Sequence, residues 1–84
     1  MSKVTLTPYI LTDANGSNPR IMIPVDTPAA FVMVESPRRD QFLVSAVNRD
    51  GVRIAIDVAK QYARSHRPRF DQLYSQMDRI RHSA

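Results

Sequence analysis

VNRDGVRIAIDV, Val47 to Val58, fits two incompatible backbones, and the choice decides where most of the positive charge of this 84-residue chain lies. With a period of two, Val52, Ile54, Ile56 and Val58 share one face and Arg49-Asp50-Gly51 becomes a hairpin turn. With a period of 3.6, Val52, Ala55, Ile56, Ala59, Tyr62 and Ala63 form one stripe, and Asp50 stands where an N-cap belongs. Continuity favours the second reading. The AKQYARSH that follows Val58 is rich in helix formers, Ala55, Ala59 and Ala63 recur every four residues, and Arg53, Asp57, Lys60 and Arg64 line the opposite face. The spacing predicts a helix from Asp50 to about His66.

Beyond that helix, Pro68 cannot continue the hydrogen-bond ladder but suits the first turn of a new helix, so the chain is expected to bend near Arg67. In RFDQLYSQMDRIR, Phe70, Leu73, Tyr74, Met77 and Ile80 fall at i, i+3, i+4, i+7 and i+10, an apolar stripe on a second helix.

Upstream the pattern is that of strands. KVTLTPYILT (Lys3 to Thr12) alternates, with Val4, Leu6 and Tyr9 or Ile10 as core candidates, and its Pro8 suggests an edge or a bulge. DANGSNP (Asp13 to Pro19) is an exposed hairpin loop in which Asn15-Gly16 tolerates positive φ. RIMIPV (Arg20 to Val25) is a short strand that Pro24 is expected to end or to confine to an edge. AFVMVE (Ala30 to Glu35) and QFLVSAV (Gln41 to Val47) form a second hairpin about the turn SPRRD, which sets Arg38 and Arg39 side by side at its tip. Four strands followed by two helices imply an α+β fold: a small antiparallel sheet of two hairpins with two C-terminal helices packed on one face, residues 1–84 forming a single compact domain.

A chain of this length buries only roughly 60 to 65% of its unfolded surface. It has no cysteine, hence neither disulfides nor thiolate metal ligands, which suits a reducing cytoplasm. No apolar run approaches the roughly 20 residues that span a bilayer, and the N-terminus has no secretory pattern, so a cytoplasmic protein without membrane contact is expected. The net charge of +4 is uneven: residues 37–84 hold ten basic and five acidic side chains, and ten of the twelve basic residues in the chain are arginines. Arginine suits bidentate contact with carboxylate or phosphate.

The residues offer little for catalysis. The two imidazoles, His66 and His82, lack a nucleophile in reach, since the neighbouring Ser65 and His66 point apart on a helix end. Asp78 and His82, at i and i+4, supply only two ligands to a metal. Asp71 and Asp78 are two turns apart, and two glycines in the whole chain leave no phosphate-binding loop. The expectation is therefore not an enzyme and no cofactor, but a small module that docks on a larger protein or nucleoprotein complex and modulates or inhibits it, in the style of inhibitors carried by phages and mobile elements. Its contacts are expected at Arg38, Arg39, Arg67 and Arg69, which stand at a loop tip and at the bend between the helices as unpaired guanidinium groups. Arg53 and Arg64 are expected to be partly neutralised on their own helix. The alternative is direct nucleic-acid binding along the arginines of the C-terminal half, against which five interleaved acids and the apolar-face placement of the aromatics count. A homodimer is a further option if the stripe from Phe70 to Ile80 exceeds what the sheet can cover.

Overall fold

The computed structural model describes residues 7–27, 31–44 and 49–83. Strands β1 (Tyr9–Leu11), β2 (Arg20–Asp26), β3 (Phe31–Arg38) and β4 (Gln41–Leu43) form one antiparallel sheet in the order β1-β2-β3-β4, followed by helices α1 (Arg49–Ser65) and α2 (Arg67–His82). This is the α+β architecture expected, with the two hairpins joined through β2 and β3 into a meander. Val4 and Leu6 lie outside the described residues, as do Ala30 and Ser45 to Asn48.

The opening stretch is helical. α1 starts at Arg49, so Asp50 lies in its first turn, where a carboxylate favours the helix dipole, instead of at the N-cap. What makes the helix fit the sheet is a line of small residues, Gly51, Ala55 and Ala59, all buried. Their size lets the helix backbone approach the strands closely. The β-branched residues that the strand reading put on one face are dispersed: Val52 and Ile56 are half-buried, and Ile54 and Val58 face solvent.

α1 and α2 are separated by His66 alone. Pro68 has no N–H for the carbonyl of Arg64, and its ring excludes that carbonyl, which breaks the ladder where the sequence predicts. Backbone bonds on either side, His66 N–H to Tyr62 and Phe70 N–H to His66, keep the two helices tightly linked.

Both helices cover one face of the sheet. Ile21, Ile23 and Val25 of β2 and Val34 of β3 are buried against Ala55, Ala59, Phe70, Leu73, Tyr74 and Met77, with Ile10, Val32, Phe42, Val44, Tyr62 and Ala63 packed around them. Four of the five residues of the α2 stripe are thus buried and Ile80 is half-buried, so the excess that a helix-mediated dimer required is absent.

Two sequence expectations need correction. Pro24 neither ends β2 nor lies on an edge strand: β2 continues to Asp26, and Pro24 pairs with Met33 of β3. Among the described residues the last β1–β2 pair is Tyr9–Met22, so at Pro24 β2 is laddered to β3 alone, the edge-like setting that proline tolerates. SPRRD is also not one turn. Ser36, Pro37 and Arg38 belong to β3, and the chain reverses at Arg39-Asp40, with Arg38 paired to Gln41. From Glu35–Leu43 to Arg38–Gln41, β3 advances three residues and β4 two, so a bulge at Ser36-Pro37 absorbs the extra residue and accommodates the proline. The first hairpin loop is as expected, with Gly16 at φ +81°, and the neighbouring Asn18 also at positive φ.

Candidate functional site

The β3–β4 turn, the end of α1 and the start of α2 surround a cleft of about 500 Å³. Phe42, Phe70 and Tyr74 supply its apolar lining, Arg39, Lys60, Arg64 and Arg67 its cations, and Asp40 and Asp71 its carboxylates. Helical spacing explains the cations: Lys60, Arg64 and Arg67 fall at i, i+4 and i+7, a period that survives the Pro68 break because a single residue joins the helices.

Two of the lining rings, Phe70 and Tyr74, belong to a longer series of ring contacts. His66 stacks on Tyr62 at 4.3 Å between centroids, Tyr62 meets Phe70 edge-on at 5.8 Å, and Phe70 lies 6.3 Å from Tyr74. At its end the Arg39 guanidinium stands 5.0 Å from the Tyr74 centroid and bonds to Asp71 Oδ1 at 2.7 Å. That hydrogen bond, chiefly, raises the Arg39 pKa above its ordinary value, so the side chain stays charged throughout the physiological range.

Tyr74 ties α2 to the turn. Ser36 Oγ, fully buried, lies 2.9 Å from the Arg38 carbonyl and 2.7 Å from the Tyr74 hydroxyl, a bond in which either hydroxyl can donate, and the Tyr74 hydroxyl donates to the Arg39 carbonyl at 3.2 Å. A second tie runs from Arg81 to the Pro37 carbonyl. Burial raises the Tyr74 pKa above 10.0, opposed by the Ser36 bond and the Arg39 charge. The neutral hydroxyl is the form the fold favours. Its contribution to stability is therefore fully present below pH 10 and lost as pH climbs through the raised value. Tyr74→Phe is expected to cost about 1–2 kcal/mol, because Ser36 loses a buried partner. Urea titrations of both proteins at neutral and alkaline pH check this, and the alkaline loss of stability is expected to be smaller in the variant.

The four arginines singled out in the sequence do not form one surface. Arg39 and Arg67 line the cleft; Arg38, the last residue of β3, and Arg69, in the first turn of α2, are exposed outside it. Arg39 is not an unpaired tip residue, since Asp71 holds it. Among the described residues the ion pairs are Arg39–Asp71, Arg20–Asp13 and Arg81–Asp78, so Arg38, Arg67 and Arg69 carry uncompensated charge. The same holds for Lys60, and for Arg53 and Arg64, which are expected to be partly neutralised on their own helix; among the described residues no ion pair with Asp57 forms. The i, i+4, i+7 spacing of Lys60, Arg64 and Arg67 was the signal that could have found the cleft cations.

Ser65 and His66 do not point apart as expected: Ser65 Oγ lies 3.0 Å from His66 Nδ1, and both also reach the Tyr62 carbonyl at 3.1 and 3.2 Å, while His82 Nδ1 lies 2.6 Å from the Asp78 carbonyl. Among the described residues no group of three or more His, Asp or Glu side chains could hold a metal ion, and no helix is long and apolar enough to cross a membrane. Comparison with known proteins finds no family model, no curated protein and no solved structure that matches this chain.

Proposed function

We propose that this protein is a non-enzymatic binding module that docks on an acidic surface of a larger protein or nucleoprotein partner and modulates it, with the cleft as its contact. The observation that carries this reading is the conjunction of Lys60, Arg64 and Arg67, free of ion pairs among the described residues, with an apolar lining from Phe42, Phe70 and Tyr74. Carboxylates of a partner satisfy the cations, and an adjoining apolar side chain fills the space between them. Direct nucleic-acid binding fits less well. Phe70 and Tyr74 are buried and engaged with other rings, so their faces are not free to stack on bases.

The test uses two labelled probes, a peptide of mixed glutamate and leucine and a single-stranded oligonucleotide of equal length, titrated over a range of salt. The peptide is expected to bind the more tightly at physiological salt. Arg64→Glu with Arg67→Glu is expected to weaken it by at least about a hundredfold, roughly 3 kcal/mol, with the melting temperature unchanged, while Arg53→Glu has little effect. Sub-micromolar oligonucleotide affinity with a steep salt dependence, or a peptide indifferent to the double reversal, overturns the reading.

A further inference from the structure

One face of the sheet has no helix over it, and among the described residues apolar side chains make up most of that face. Strand pairing places Tyr9, Met22, Glu35 and Leu43 in one row across all four strands, flanked by Leu11–Arg20 on one side and by Pro24–Met33 and Asp26–Phe31 on the other. Alternation along β2 puts this set opposite the buried Ile21, Ile23 and Val25. Tyr9, Leu11, Phe31 and Leu43 are 46, 38, 53 and 55% exposed, Pro24 and Met33 are half-buried, and Met22, at the centre of the row, is 7% exposed beneath its neighbours. An antiparallel sheet with one solvated face ordinarily turns polar side chains outward there.

We propose that this face is the interface of a homodimer, in which a second copy packs sheet against sheet. The first argument is size. Strands about 4.8 Å apart, with central strands of seven and eight residues, present on the order of 600–700 Å² of accessible surface, the lower end of what each partner buries in a specific two-fold interface. The second argument is charge. α1 and α2 each carry four basic and two acidic side chains, so the helices hold the entire net charge of +4 and the remainder of the chain is neutral. Among the described residues the outer face itself has Arg20, already bonded to Asp13, and Arg38, which pairs with Gln41 two residues from Leu43, balanced by Asp26 and Glu35. Two copies meeting through their sheets bring no like-charged surfaces together, whereas helix-to-helix association opposes two basic layers. Such a dimer points both clefts outward on opposite sides, so it is independent of what those clefts bind.

Sedimentation equilibrium of the full chain tests this. The expected species is a dimer of about 19 kDa, twice the 9.6 kDa chain, at protein concentrations up to about 100 µM. Phe31→Glu with Leu43→Glu, and separately Leu11→Lys, are expected to raise the dissociation constant at least about tenfold while far-UV circular dichroism stays native, since these side chains are exposed. Val58→Glu, on the solvent side of α1, is expected to leave the dimer intact. A wild-type chain that is monomeric at the highest concentration overturns the proposal. So does a dimer that resists the sheet-face variants and dissociates with Val58→Glu.

Discussion

Phe70→Ala is expected to destabilise the protein by about 3–5 kcal/mol, enough to leave it partly unfolded at physiological temperature. The side chain is 2% exposed and touches both helices' aromatic rings, Tyr62 at 5.8 Å and Tyr74 at 6.3 Å, while facing the strands below. Truncation removes the transfer free energy of the ring and leaves a cavity that α1 cannot collapse to fill, because its contact residues Ala55 and Ala59 are already the smallest that a helix favours. A domain of this length has only about 5–10 kcal/mol in total, so a single substitution removes a third or more of it. Urea denaturation gives the loss directly. A change below 1 kcal/mol would mean that Phe70 is not the joint between the helices and the sheet.

Ile56→Pro is expected to cost about 3 kcal/mol or more. Position 56 lies in the middle of α1, where proline removes the N–H that bonds to the Val52 carbonyl and pushes its ring into that carbonyl. The half-buried Ile56 side chain is lost in the same change. The helical signal in far-UV circular dichroism is expected to fall with the stability. Backbone chemical shifts of the unaltered chain are the complementary measurement, and extended-type values from Val52 to Val58 would contradict the helix.

The layer order was legible because period and punctuation agreed. Pro68, the stripe from Phe70 to Ile80 and the alanines of α1 each point to the same two helices, and the structure places their apolar sides on the sheet. What was not legible depended on contacts between residues far apart in the chain. SPRRD reads as a loop because proline and adjacent charges mark turns, yet Ser36 is held in β3 by a tyrosine 38 positions later. Arg39 reads as unpaired because its carboxylate, Asp71, comes 32 residues after it. Conversely Arg64 was discounted on the assumption that a neighbour at helical spacing neutralises it, and exposed pairs of that kind are too weak to form dependably. The cleft itself has no local signature, since its lining comes from β4, α1, α2 and one turn.

The tie between Tyr74 and the β3–β4 turn also has a consequence in time. Arg39-Asp40 has neither the glycine nor the asparagine that closes a two-residue hairpin by itself, so little in the local chain holds it shut. As the polypeptide leaves the ribosome from its N-terminus, this turn emerges before the hydroxyl that bonds to Ser36 and before the carboxylate that holds Arg39. Until α2 has been synthesised the inner face of the sheet has at most α1 to cover it and the last hairpin is loosely closed, the condition in which nascent strands pair with wrong neighbours. The C-terminal helix is therefore a late fastener, and a chain that stalls or is cleaved before Tyr74 is expected to be a substrate for chaperones and proteases instead of a smaller working module.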